Sequence, residues 1–218
     1  MAVNDRVAAE ERRRSVVIAG HVGPPELARD GLADPDPDTR SAALGALERL
    51  GALTTHELQR GLADPDPRTR RRAALIAAGR DDSLAQLEQL LEDPDPLVVE
   101  AASFACGERS DATSGTVLGL CGLATTHEDS LCREAAVAAM GSIGSAGSMR
   151  PADESAALAA ILTACTDRAT VRRRAVLALA AFDGPEVTDM LTRMTGDRDL
   201  QVRQAAEELL AIEQGEDL

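Results

Sequence analysis

Asp34-Pro35-Asp36-Pro37 returns as Asp64-Pro65-Asp66-Pro67 and as Asp93-Pro94-Asp95-Pro96, after 30 and then 29 residues. A residue before proline is pushed out of the α region, so a helix should stop near Asp34. Asp36 can accept from the free N–H groups of a following turn. Pro37 suits a first helical position, where no N–H is needed, and Asp38 faces the positive end of that helix dipole. The tetrapeptide therefore ends one helix and starts the next. A helix hairpin recurring at this period predicts a stacked repeat architecture.

An arginine stands six residues after the first Asp in two copies, as Arg40 and Arg70; the third copy has Val99. Small residues follow, as Ala42-Ala43, Ala73-Ala74 and Ala101-Ala102. Two later copies lack the prolines. Asp197 is followed by Arg203 at six and Asp167 by Arg172 at five. A degenerate copy has Arg133, with His127 where the Asp should stand.

This pattern resembles HEAT repeats, and its short Ala-rich form resembles the HEAT-like repeats of the phycocyanobilin lyase group. The resemblance covers nearly the whole chain. It implies an all-α, right-handed solenoid of stacked helix pairs, with Asp and Arg side chains laddered between neighbouring repeats. Asp34, Arg40, Asp64, Arg70, Asp197 and Arg203 are then structural.

The spacing predicts a single domain over 1–218. It opens with a half repeat at 1–23, a second helix without its first, because Arg12-Arg13-Arg14 leads an apolar run as Arg70-Arg71-Arg72 does. Repeats follow at about 24–50, 53–79, 82–108, 111–144, 152–182 and 185–214. Leu44, Leu47 and Leu50 show helical spacing, and so do Leu84, Leu87, Leu90 and Leu91. The Gly/Ser-rich stretch at 141–151 reads as a flexible connection. The end from Glu213 to Leu218 reads as disordered.

Net charge is −14 over 218 residues, and aromatic content is 1%, with no Trp or Tyr. All 23 basic residues are arginine. Strong negative charge disfavours nucleic acid and anionic membranes. No apolar run reaches the roughly 18–20 residues a membrane span needs. The first residues lack a signal-peptide core, and Cys106, Cys121, Cys132 and Cys165 show no C-x-x-C spacing. Buried free thiols in a cytoplasmic protein are expected.

Two His-Glu dyads, His56-Glu57 and His127-Glu128, invite comparison with deoxyhypusine hydroxylase, a HEAT-like enzyme with four such dyads on two irons. Only two occur here, and each lies in Thr-Thr-His-Glu, which reads as a capping box. Two repeats of helices about 8–10 Å apart would also separate them. No metal and no cofactor are expected. Some HEAT-like DNA glycosylases bind DNA in a basic groove, but base-stacking aromatics are missing here.

The reading is a non-catalytic scaffold, expected as a monomer, that binds a protein partner along one face. The alternatives are an enzyme of the HEAT-like lyase or hydroxylase group and a nucleic-acid binder. As in the family, second helices should form the concave wall. Ser41, Glu48, Arg71, Glu100, Ser103, Glu134, Arg173, Gln204 and Glu207 are the expected exposed positions. Leu97 replaces a charged residue and Val99 replaces the ladder arginine, so these two are the candidate apolar binding edge.

Overall fold

The computed structural model describes residues 3–80 and 85–213. All regular structure among the described residues is helical. The helices are α1 (Val3–Val22), α2 (Pro25–Asp30), α3 (Pro37–Arg49), α4 (Thr55–Leu62), α5 (Pro67–Ala77), α6 (Ala85–Gln89) and α7 (Pro96–Glu108). Then come α8 (Ser114–Thr126), α9 (Ser130–Ser145), α10 (Pro151–Ala164), α11 (Ala169–Leu179), α12 (Pro185–Met194) and α13 (Leu200–Glu213). Short 3-10 turns at Gly31–Ala33 and Leu90–Glu92 extend α2 and α6.

The Asp-Pro-Asp-Pro turns work as local chemistry dictates. The 3-10 turn after α2 ends at Ala33, and Asp34 is extended at φ −64°, ψ 140°. Asp34 Oδ1 accepts the N–H of Asp36 at 2.8 Å, which closes the turn. Asp36 caps α3 by accepting the N–H of Thr39 at 2.9 Å, and Pro37 takes the first helical position. Asp66 caps α5 in the same way, through the N–H of Arg68 at 3.0 Å.

The chain divides into two compact units, 1–102 and 103–218, and the division falls inside α7. In the first unit α3 packs between α1 and α5, with α2 against α1 and α3, and α4 against α5. Leu44, Leu47, Leu58 and Leu62 fill its interior and are at most 1% exposed. Each such leucine contributes about 1.5–3 kcal/mol of burial. Helix α1 begins further upstream of its ladder residue than the other second helices, so the chain before Arg12 is helical from Val3. The expected third repeat, 82–108, begins outside the described residues, as does Leu84.

In the second unit α9 packs against α8 and α11, α10 against α8 and α11, and α13 against α11 and α12. Met140, Ile143, Ile161, Leu179 and Leu191 form its interior. The connection expected at 141–151 is shorter than that, because α9 continues through Ser145. Its glycines serve close packing instead of chain freedom. A Cβ on Gly141 would stand 2.9 Å from Ala178 Cβ, and one on Gly144 would stand 3.1 Å from Ala181 Cβ. Of the glycines in this stretch only Gly147, with φ +65°, uses the left-handed region that favours glycine. The stretch expected to be disordered, apart from Glu213, lies outside the described residues.

Candidate functional site

The second helices α3, α5, α9, α11 and α13 carry a ladder arginine in their first turns, α1 carries Arg12 near its middle, and α7 has Val99 at that position. Arg40 holds Asp64 through two parallel bonds, Nε to Oδ2 at 2.8 Å and Nη2 to Oδ1 at 2.7 Å. Its Nη1 also donates to the carbonyls of Asp34 and Pro35, at 2.9 and 3.2 Å. One guanidinium thus closes its own turn and grips the next. Arg70 does the same to Asp93 at 2.7 Å, Arg133 to Asp167 at 2.6 Å, and Arg172 to Asp197 at 2.7 Å. Arg12 supplies a rung to Asp34 at 2.7 Å that spacing alone did not single out. Arg203 reaches back to the Asp197 carbonyl at 2.6 Å. The hydrogen bond from Arg172 holds the Asp197 carboxyl below its usual range, and the one from Arg133 does so for Asp167.

Counting from the ladder residue gives every second helix a common frame. The position one residue on holds Arg13, Ser41, Arg71, Glu100, Glu134, Arg173 and Gln204. Arg71 stands 3.7 Å from Glu100, and Arg173 donates to Gln201 at 3.1 Å. Glu134 meets Arg174, two beyond the ladder in α11, at 3.6 Å. Gln204 and Glu207 are exposed, whereas Ser41 is half-buried and Glu48 is paired with Arg80 at 2.9 Å.

Two expected binding residues are buried. Val99 is 0% exposed. The ladder position is rooted inside, and an arginine escapes only by its length; a valine there stays in the core. Ser103 is also 0% exposed, and its Oγ has no hydrogen-bond partner. It stands four residues after the ladder position, where Leu44, Ala74, Val137 and Val176 face inward. Leu97, by contrast, is 47% exposed.

The frame also shows what the sequence reading passed over. Five residues after the ladder stand Val17, Leu75, Phe104 and Leu177, all exposed, at 40, 38, 48 and 42%. In the second unit, Leu177 borders a cleft of about 220 Å³ shared with Glu134, Ala169, Thr170, Arg173 and Arg174. The repeat frame, once drawn, marks these positions from sequence alone.

The two His-Glu dyads are locally unlike. Thr54 and Glu57 form a reciprocal capping box at the start of α4, and Glu57 also pairs with Arg29 at 2.6 Å. The second expected box does not form. Thr125 lies in the last turn of α8 and donates to the carbonyls of Cys121 and Gly122. His127 caps the end of α8, and Asp129 is the N-cap of α9. The reason is the rung geometry. Arg133 donates to the carbonyls of His127 and Glu128, so those residues are turn and not helix. No three His, Cys, Asp or Glu residues gather as a metal site among the described residues. All four cysteines are free, and burial pushes the Cys165 thiol up to about 12, so it stays protonated and inert near neutrality. No helix among the described residues is long and apolar enough to cross a membrane.

Residues 55–141 match the family profile of HEAT repeats. Among solved structures, an engineered protein superposes with a TM-score of 0.65 at 20% identity, covering 85% of this chain and 96% of that one. A designed armadillo repeat protein, solved in complex with the peptide (KR)4, gives 0.62 at 18% identity, covering 85% of this chain and 97% of that one. YibA of Escherichia coli gives 0.61 at 16% identity, covering 98% and 77%. No curated protein matches the chain.

Proposed function

We propose that this chain, a member of the HEAT repeat family, is a non-catalytic scaffold that binds a protein partner on the exposed face of its second helices. The observation that carries the reading is the apolar position five residues after the ladder. Val17 and Leu75 in one unit, and Phe104 and Leu177 in the other, are left in water at one place in the frame. Single exposed apolar residues are ordinary; the same register used in four helices is not. Leu177 shares its cleft with the charged pair Glu134 and Arg174. Apolar anchors inside a polar rim are the usual anatomy of a protein interface. The peptide complex of the designed armadillo protein is consistent with a helix stack serving this purpose. Leu97 belongs with these anchors, and Val99 and Ser103 do not.

The test is capture of partners from the native host by the tagged protein and by Leu75→Asp, Leu97→Asp and Leu177→Asp variants. Exposed leucines should tolerate aspartate with little change in melting. The expected result is a partner held by the parent and lost by at least one variant that melts like it. Retention of every captured protein by all three variants would end this reading.

A further inference from the structure

Several acids of the first unit hold arginines, while some of its arginines find no acid among the described residues. Asp34, Asp64 and Asp93 take the rungs from Arg12, Arg40 and Arg70. Glu48 takes Arg80, Glu57 takes Arg29, and Glu100 takes Arg71. Arg72 is half-buried on α5 and has neither a hydrogen bond nor an ion pair among the described residues. The second unit shows what is missing. Arg174 holds the same place as Arg72, two beyond the ladder, and reaches the preceding second helix to meet Glu134. Arg72 reaches the preceding second helix too, but Ser41 stands where the glutamate would be.

The position of the guanidinium is well defined. Its Nε and Cζ lie 3.0 Å from where a Cβ would stand on Gly45, so the absent side chain makes its seat on α3. Arg49 is rooted one helical turn further along the same face of α3. Its Nη2 lies 2.6 Å from the corresponding place on Gly20 of α1, and it too has no carboxylate partner among the described residues. Two unpaired cations therefore lie on the exposed second-helix face of a chain whose net charge is −14.

We propose that Arg49 and Arg72 form a carboxylate-binding site, and that the partner segment lying there is an acidic peptide. This rests on the scaffold reading and names the chemistry of its partner. Guanidinium recognises carboxylate through two parallel bonds. Arg72 is seated over Gly45 of α3, and Arg49 over Gly20 of the neighbouring α1. An extended peptide, which rises about 3.3 Å per residue, can offer a carboxylate to each. Val17 and Leu75 flank the face and supply apolar contact. A nucleic acid is disfavoured, because the chain offers no Trp or Tyr for base stacking.

The experiment is fluorescence anisotropy of the full chain with labelled octaglutamate, the basic peptide (KR)4 and a thymidine oligomer, at low and physiological salt. Octaglutamate should bind, weaken with salt, and exceed both other probes. An Arg49→Gln, Arg72→Gln double variant should lose about tenfold or more of that affinity, some 1.4 kcal/mol. A Ser41→Glu variant supplies the glutamate that α9 has. It should lose octaglutamate binding while melting at or above the parent, which separates occupation of the site from misfolding. Octaglutamate binding that is absent, or unchanged in both variants, overturns the proposal. Tighter binding of the thymidine oligomer, lost in the same variants, replaces it with a nucleic-acid site. Loss of captured partner in Leu75→Asp without any octaglutamate binding would sink this site and leave the scaffold reading standing.

Discussion

His127 Nδ1 accepts the backbone N–H of Asp129 at 3.0 Å, as Asp64 Oδ1 accepts that of Asp66 at 2.9 Å. The imidazole closes the turn as the carboxylate does, but it brings no negative charge. In the frame of the ladder, Arg40 meets Asp64 and Arg70 meets Asp93; the next donor position holds Val99 and the next acceptor position holds His127. Each of these residues takes a charge out of the ladder frame of its own unit.

His127→Ala removes that acceptor and should cost about 1 kcal/mol. His127→Asn, which restores an uncharged oxygen at the same place, should melt like the parent. Equal melting of all three proteins would show that the histidine does not hold the turn.

Arg40→Ala should be among the more damaging surface substitutions. It strips the Asp64 carboxylate, whose side chain is 11% exposed, and two carbonyls of their donor. A loss of about 2–3 kcal/mol is expected. Arg40→Lys should recover part of it, since lysine keeps the charge and loses the fork. Arg12→Ala should cost less, because its side chain is 44% exposed. Urea denaturation of the three variants gives the order directly.

The rung carboxylates predict an acid limb. Asp167 and Asp197 are held below the usual range by Arg133 and Arg172. A group with a depressed folded-state pKa contributes fully above its unfolded value and loses that contribution as pH falls through the folded one. The melting temperature should be flat above about pH 5 and fall below about pH 4. An Asp167→Asn, Asp197→Asn protein should be less stable at neutrality and show a shallower fall. A parallel fall in both proteins would place the acid sensitivity elsewhere.

Two glycines should answer oppositely to alanine. Gly141 faces Ala178, with Cα and Cβ 3.0 and 2.9 Å from a new methyl, so Gly141→Ala forces helices apart and destabilises. Gly122, on the exposed side of α8, meets nothing within 4 Å. Gly122→Ala should stabilise by roughly 0.5–1 kcal/mol through helix propensity. Thermal melts of the two variants on opposite sides of the parent are the expected result.

Thr-Thr-His-Glu occurs at 54–57 and at 125–128, and the two copies fold differently. The first caps α4; the second spans the end of α8 and the turn after it. The hairpins were legible because Asp-Pro-Asp-Pro acts within its own few residues. The second tetrapeptide was not, because Arg133, six residues beyond its histidine, decides which backbone groups are turn. Val99 and Ser103 were expected to be exposed and are buried, because burial follows depth at each position of the repeat frame. Gly141 and Gly144 look like loop residues until Ala178 of α11 and Ala181 just beyond it are known to need their space.

Each rung has a direction. The aspartate that receives from the helix before it and the arginine that gives to the turn after it stand about six residues apart on one segment. A repeat therefore carries a socket for its predecessor and a plug for its successor. When such a segment is duplicated in frame, the new copy is already matched at both ends and needs no compensating change elsewhere. Growth by copying is thereby nearly free of frustration.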